Sequence, residues 1–457
     1  MMTTRFGNIL GTLSVTIILT ILSFTNANAQ ATKVKGRVVD ASTGEGIPFA
    51  GVYFKNSTVG VSADLDGYYF LETRDTLSLL SASILGYEEQ VVKVNLHRFN
   101  EVNFALRPVV DELNAALVKP DDRYMRSILK KIDEAKSRNN PERRRLYSCD
   151  VYTKMELDVT NPENPMISSF LPKDFKFVYD YMDTSVVSGM PFLPVLISET
   201  TSRYYHRKDP PSDREVIKAT RISGVDKNPI LAQFTGNMYV KTNFYENYIN
   251  IFQVEIPSPL ASNGMTYYNY YLVDSLQIDG RKTYKIRFHP SKWVSSPTFD
   301  GEMSIDAGEY ALRDIHVRLK KGSNVNWVRD MTIDVVNTRL PDSTWFYKQD
   351  RMYVDFSPTT RDSSKIVTFL GNRQIDYSNP DFATTYREDK DDMSAQVQAG
   401  KDVINNDESY WQGVRPFPLS DKERGIYNMV DSIKNVPLYK DVYALAEMLV
   451  NGFLNTK

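Results

Sequence analysis

Residues 279–290 read Asp279-Gly280-Arg281-Lys282-Thr283-Tyr284-Lys285-Ile286-Arg287-Phe288-His289-Pro290. After the Asp-Gly turn signal, Tyr284, Ile286 and Phe288 alternate with Lys285, Arg287 and His289, so a strand here carries one apolar and one basic face. The pattern continues outward. Met303 and Ile305 alternate with Glu302, Ser304 and Asp306; after a turn at Ala307-Gly308, Ile315, Val317 and Leu319 alternate with Asp314, His316 and Arg318. Met331, Ile333 and Val335 repeat it, and Met352, Val354 and Phe356 close it. Consecutive hairpins with one apolar face predict a large antiparallel β domain over 146–380. Extended exposed apolar surface is rare on soluble monomers, so the face built by Tyr284, Ile286, Phe288, Met303, Ile305, Ile315 and Val317 must be covered by the chain or hold an apolar ligand. A helix over 122–138 and a short helix at Pro229–Phe234 are the candidate covers.

Upstream, residues 30–110 read as a smaller β-sandwich of short strands joined by turns. Asp64, Asp66 and Gly67 lack the remaining ligands of a calcium loop and are read as a tight turn. The run Gly36-Arg37-Val38-Val39-Asp40, Ile47-Pro48-Phe49-Ala50-Gly51-Val52, Asp64-Leu65-Asp66-Gly67-Tyr68-Tyr69-Phe70 and Leu85-Gly86-Tyr87 resembles the carboxypeptidase-regulatory-like domain. That resemblance implies a seven-stranded-type sandwich without catalytic residues. Further stretches, among them Leu196-Ile197-Ser198-Glu199-Thr200, Ser258-Pro259-Leu260 and Phe299-Asp300-Gly301-Glu302-Met303, resemble a family of bacterial outer-membrane-associated proteins of unknown function with that domain at the N-terminus. Members usually continue into a C-terminal outer-membrane β-barrel; this sequence ends at Lys457, about where the barrel would begin.

Between the two β regions, 111–145 is a connector whose Met125, Ile128, Leu129, Ile132 and Ala135 lie on one helical face, stopped at Asn139-Asn140-Pro141. Residues 381–419 are polar and read as a linker, and 420–457 as two terminal helices, the first opened by the Ser420/Glu423 capping box. Residues 1–29 carry Arg5, an apolar run from Ile9 to Phe24 and Ala27-Asn28-Ala29, the pattern of a cleaved signal peptide. The single cysteine, Cys149, is expected to be inert packing, with no disulfide framework and no acylated N-terminus. No other run is long enough for a spanning helix.

With 55 basic against 57 acidic residues the net charge is −2, which leaves no field for nucleic acid. Aromatic residues at 12% favour strands. A zinc carboxypeptidase needs His and Glu two apart with a distant second His, and none of His97, His206, His289 and His316 begins that motif. His289 and His316 are read as residues of solvated strand faces. His206 lies in Arg203-Tyr204-Tyr205-His206-Arg207-Lys208-Asp209, among bases that repel a cation. With no nucleophile elbow and no phosphate loop, the expectation is no catalytic residue, no metal and no cofactor. The leading functional reading is a non-enzymatic periplasmic or outer-membrane-associated protein of a Gram-negative envelope, acting in assembly or transport with an envelope or outer-membrane protein as partner. A periplasmic carrier of a lipid or other apolar ligand is the second reading, and a peptidase the third and least favoured.

Overall fold

The computed structural model describes residues 31–433, apart from 49, 56, 58, 65, 85–86, 109–121, 162–178, 186–188, 224–241, 253, 326–327, 357–367, 384–396, 400–404, 406 and 420. The signal segment, the Pro229–Phe234 cover and the helix after Pro437 lie outside the described residues.

The chain is mainly β. The N-terminal module has strands β1 (Thr32–Asp40), β2 (Gly51–Phe54), β3 (Gly60–Ser62), β4 (Tyr68–Thr73), β5 (Leu79–Ser83), β6 (Gln90–Lys93), β7 (Phe99–Glu101) and β8 (Phe104–Leu106). They form two four-stranded sheets, one around β1 with β4, β7 and β8, the other in the order β3-β2-β5-β6. Eight strands stand where a seven-stranded type was expected, because the C-terminal part pairs with β1 twice, through β7 at Lys33–Lys35 and through β8 at Val38–Asp40. Val34, Val38, Val52, Phe54, Leu80 and Phe104 are fully buried between the sheets. At the β3–β4 turn, Asp64 Oδ1 accepts from the backbone N–H of Asp66 and Tyr68 at 3.0 and 2.8 Å, and Gly67 takes φ +83°. The turn reading of Asp64, Asp66 and Gly67 therefore has a geometric basis, since only glycine adopts that φ cheaply.

Helix α1 (Asp122–Asn139) follows, with a 3-10 turn at Pro141–Arg143 capped by Asn140, whose Oδ1 accepts from Glu142 N at 3.0 Å. The large domain has β9 (Leu146–Thr160), β10 (Asp183–Thr184), β11 (Pro191–Arg207), β12 (Ser212–Ile222), a separate hairpin of β13 (Tyr248–Ile251) and β14 (Val254–Pro257), then β15 (Tyr268–Ile278), β16 (Arg281–Pro290), β17 (Phe299–Asp306), β18 (Leu312–Leu319), β19 (Val328–Arg339), β20 (Trp345–Phe356), β21 (Phe369–Asp381) and β22 (Val397–Ala399). One sheet runs β15-β16-β17-β18-β19-β20-β21-β9-β11-β12-β22, with β10 beside β11. Its neighbours from β15 to β12 are antiparallel and β22 joins parallel to β12.

Met125, Ile128 and Ile132 of α1 pack with Ile249, Ile251 and Ile256 of the β13–β14 hairpin onto the apolar face of β15–β20. Buried tyrosine hydroxyls tie this cover down. Tyr268 donates to the Pro257 carbonyl at 2.6 Å and Tyr270 to that of Pro259 at 2.7 Å, while Tyr245 Oη accepts from Leu312 N at 2.9 Å. Ser258 of the Ser-Pro-Leu stretch donates to the Phe244 carbonyl and accepts from Leu260 N, fixing the loop that seats Leu260 in the core.

The polar linker read over 381–419 is corrected. Its described residues include β22 and a helix, α2 (Glu408–Val414), capped by Asp407 and seating fully buried Trp411 against Tyr152 and Ala219. Trp411 packs this stretch onto the sheet although the stretch is polar on average. Helix α3 (Asp421–Ile433) packs Ile426, Tyr427 and Met429 against Leu193 and Ile197.

Candidate functional site

The seven residues of the expected ligand face come together on one surface, and it is filled by the protein. Ile286, Phe288, Met303, Ile305 and Val317 are fully buried, Ile315 nearly so, and Tyr284 meets Tyr124 of α1 edge-on at 6.5 Å. Around these residues the cover is α1 and the β13–β14 hairpin.

The other face of the sheet was read as solvated. It is instead the seat of the N-terminal module. Phe70 of β4 meets the His316 ring edge-on at 5.2 Å, Tyr353 donates to Glu72 at 3.2 Å, and Lys33 pairs with Asp183 at 3.1 Å. The correction has a cause in register. Charged side chains on successive strands neutralise one another as Lys285–Glu302, Arg287–Asp300, His316–Asp334 and Arg318–Asp330, so the face can be covered without isolated charge. Burial alone lowers the pKa of His316, but the Asp334 carboxylate beside it outweighs burial and raises it. His289 is half-buried, stacked on Tyr271 at 5.1 Å, and its pKa is lowered by burial and by Arg287.

Partly open cavities lie where module and sheet meet. One, of about 180 Å³, lies between Asp64, Tyr68 and Phe70 of the module and Asp300, His316 and Arg318 of the sheet. The other, of about 110 Å³, lies over β9, β20 and β21, closed by Lys33 and Glu72 of the module and Glu423 of α3. Three cross-strand rows floor it, Arg351–Gln374–Lys154, Tyr353–Asn372–Glu156 and Asp355–Leu370–Asp158. Because strand side chains alternate, Lys154, Glu156 and Asp158 share this face while Met155 and Leu157 point to the other. Lys154 is paired with Glu423. Glu156 and Asp158 are neighbours on one face of β9, and each carboxylate disfavours ionisation of the other. Burial pushes Glu156 up to about 7 and Asp158 well above the carboxylate range. Lys33 is raised, since Asp183 and Glu72 outweigh its burial. Four atoms of the lining, Asp158 Oδ1, Asp355 Oδ1, Arg74 Nε and Arg351 Nε, are buried without a hydrogen-bond partner among the described residues. The four residues that carry these atoms, two acids and two arginines, line one cavity.

These shifts fix a pH dependence. Glu156 titrates near 4.5 in the unfolded chain and near 7 in the folded one, so between those values the native state holds a proton that the unfolded state releases. Stability therefore falls as pH rises through that window, and His316, whose raised pKa favours the charged form in the fold, adds a loss in the same direction. Denaturant unfolding is expected to give a lower free energy at pH 8 than at pH 5. Glu156→Gln should shrink the difference by on the order of 1 kcal/mol. Equal stability at the two pH values would reject the assignment.

A second buried charge cluster closes on itself. Glu199, inaccessible to solvent on β11, accepts from Arg415 Nε and a terminal nitrogen at 2.6 and 2.7 Å and from the hydroxyls of Tyr152 and Tyr427 at 2.6 and 2.7 Å. Its four hydrogen bonds lock α2 and α3 to the sheet. The lone thiol, Cys149, is fully buried among Tyr147, Val151 and Ile375.

Residues 128–363 match the family of unknown function DUF5686, and residues 34–118 match the CarboxypepD_reg-like domain. The chain belongs to the DUF5686 family. No curated protein matches it. The family resemblance read from the N-terminal turns and the later motifs thus holds for both parts of the chain. Among solved structures, it is similar to an outer-membrane lipoprotein-sorting protein domain from Vibrio parahaemolyticus, at 10% identity and TM-score 0.22 over 57% of this chain and 94% of that one. A DUF1329 family protein from Desulfovibrio piger is 9% identical, with TM-score 0.20 over 58% and 94%. A membrane-associated protein of unknown function from Bacteroides fragilis is 9% identical, with TM-score 0.15 over 77% and 99%. Scores this low leave the fold to be read from the chain itself. Among the described residues, no helix is long and apolar enough to cross a membrane.

The sequence reading chose no carboxylate pair, since acids are plentiful. The spacing of Glu156 and Asp158 on one strand face was visible, but their partners Asn372 and Tyr353 lie about two hundred residues away and only the fold brings them in.

Proposed function

We propose that this member of the DUF5686 family is a non-enzymatic protein of the Gram-negative envelope, acting in assembly or transport, in which the N-terminal module lids a polar cleft on the back of the large sheet. One observation supports the reading: the 110 Å³ cavity under the module is lined by Asp158, Asp355, Arg74 and Arg351, each with a buried polar atom that has no hydrogen-bond partner among the described residues. Buried polar atoms cost about 1–3 kcal/mol each when unsatisfied, so an arrangement of four favours an occupant that both donates and accepts hydrogen bonds. An engineered apolar cavity of about 150 Å³ takes a benzene ring. The smaller, charged space here therefore suits the polar end group of an envelope component better than an acyl chain. The carrier reading has less support, because the apolar face it needs is packed by α1 and the β13–β14 hairpin. The signal-peptide pattern over 1–29 supports export.

The test is expression of the full sequence in a Gram-negative host, followed by fractionation, intact-mass measurement and native mass spectrometry. The expected product starts at Gln30, carries no lipid, lies in the periplasmic or outer-membrane fraction and retains a polar adduct that Asp158→Asn and Arg351→Gln lose. A cytoplasmic, uncleaved chain would overturn the location, and identical native masses for wild type and variants would overturn the cleft.

A further inference from the structure

The hairpin of β11 and β12 holds a group of ligand atoms that the basic sequence around it conceals. Register sets His206 directly opposite Asp213, and the following pair, Tyr205 and Arg214, points to the other face. Arg203 leaves in the same way, to Ser148 Oγ at 2.7 Å and the Asn379 carbonyl, and Arg207 Nε donates to the Pro210 carbonyl. What stays beside His206 is acidic. Its Nδ1 lies 2.7 Å from Asp213 Oδ1 and 3.3 Å from Glu142 Oε2, and the three ligand atoms fall within 4.8 Å of one another.

We propose that His206, Glu142 and Asp213 form a binding site for a divalent cation of zinc's preferences, with His206 Nδ1 and one oxygen from each carboxylate as protein ligands. The opposite ring nitrogen supplies the first argument. His206 Nε2 lies 3.2 Å from the Glu142 carbonyl, which can only accept, so Nε2 keeps its hydrogen when a cation displaces the proton that Nδ1 shares with the carboxylates, and Nδ1 then offers its lone pair to the ion. A histidine whose second nitrogen donates to a backbone carbonyl is the usual arrangement of a metal ligand. The second argument is outside support for each ligand. Tyr147 and Tyr347 donate to Glu142 Oε1 at 2.7 and 2.9 Å, which orients Oε2 toward the ring, and Tyr204 hydrogen-bonds Asp213. Tyr147 also stacks on the imidazole at 4.9 Å, fixing its plane. The third is spacing, because tetrahedral zinc with bonds of roughly 2.0–2.1 Å sets ligand atoms roughly 3.3 Å apart, close to the Nδ1–Glu142 separation.

One nitrogen with two oxygens suits zinc better than calcium or magnesium, which take oxygen ligands. The Asp213 side chain is 52% exposed, which leaves a route for the ion and a position for water. Glu142 belongs to the 3-10 turn after α1, and His206 and Asp213 to the β11–β12 hairpin. A bound ion would therefore staple the end of the connector to the hairpin.

Equilibrium dialysis of the full chain against zinc, with and without competing magnesium and calcium, tests this. One equivalent of zinc is expected per chain, unaffected by the competitors and accompanied by a raised melting temperature. Asp213→Asn, at a half-exposed position, should weaken uptake about tenfold or more while melting like wild type in chelator. His206→Gln should abolish stoichiometric uptake. Absence of stoichiometric zinc on wild type, or uptake unchanged in both variants, overturns the site and leaves the group as an imidazolium held by two carboxylates.

Discussion

Ile286→Asp is expected to leave the large domain unfolded, or destabilised by at least about 4 kcal/mol, in conditions where the wild type is native. Ile286 is inaccessible to solvent at the centre of the largest apolar cluster, between Phe288, Met303 and the cover from α1. The substitution removes the transfer energy of a buried aliphatic side chain and places a carboxylate inside an apolar cluster. Ile286→Val at the same position should cost only about 0.5–1.5 kcal/mol. Denaturant titration monitored by far-UV circular dichroism separates the two. An aspartate variant as stable as the valine one would mean that this face is hydrated, contrary to its burial.

Arg415→Ala is the second large effect, at about 3–5 kcal/mol. Glu199 and Arg415 are both almost wholly buried and meet through two nitrogens, so deleting the guanidinium strands a carboxylate inside the protein with only the tyrosine hydroxyls for partners. It also releases Glu408 of α2, which Arg415 and Arg221 share. The double variant Glu199→Leu/Arg415→Met should recover most of the loss, because an apolar pair requires no desolvated charge. A loss below about 1 kcal/mol for the single variant, seen as an unchanged midpoint in urea, would show that α2 and α3 are not held through this pair.

The strand alternation around Tyr284–Phe288 made the large sheet legible, because period two depends only on neighbouring residues. The seven apolar positions Tyr284, Ile286, Phe288, Met303, Ile305, Ile315 and Val317 could be placed on one face for the same reason. Helix 122–138 could be named as a cover of that face from its own apolar stripe, whereas the β13–β14 hairpin and what covers the other face were not legible. His316 sits in an alternating polar row that reads as solvated, and its partners Asp334 and Phe70 come from another strand and another module. For His206 the signal was available but outweighed: counting bases along the chain made the segment cationic, whereas strand parity sends Arg203 and Arg207 to the face opposite His206. Trp411 shows the limit of composition, since a segment polar on average can still be fastened by one buried indole.

The strand order carries a consequence for folding. β9 is flanked on one side by β11, the next long strand in the chain, and on the other by β21, with Lys154 opposite Gln374 and Tyr152 opposite Asp376. Contacts of that separation cannot form until residues more than two hundred positions downstream have emerged, and the loop entropy is spent before the pairing returns anything. A nascent chain released before β21 would present β9 as a fifteen-residue open edge. Folding of this protein should be slow, of high contact order, and most exposed to aggregation in the interval between the appearance of these two strands.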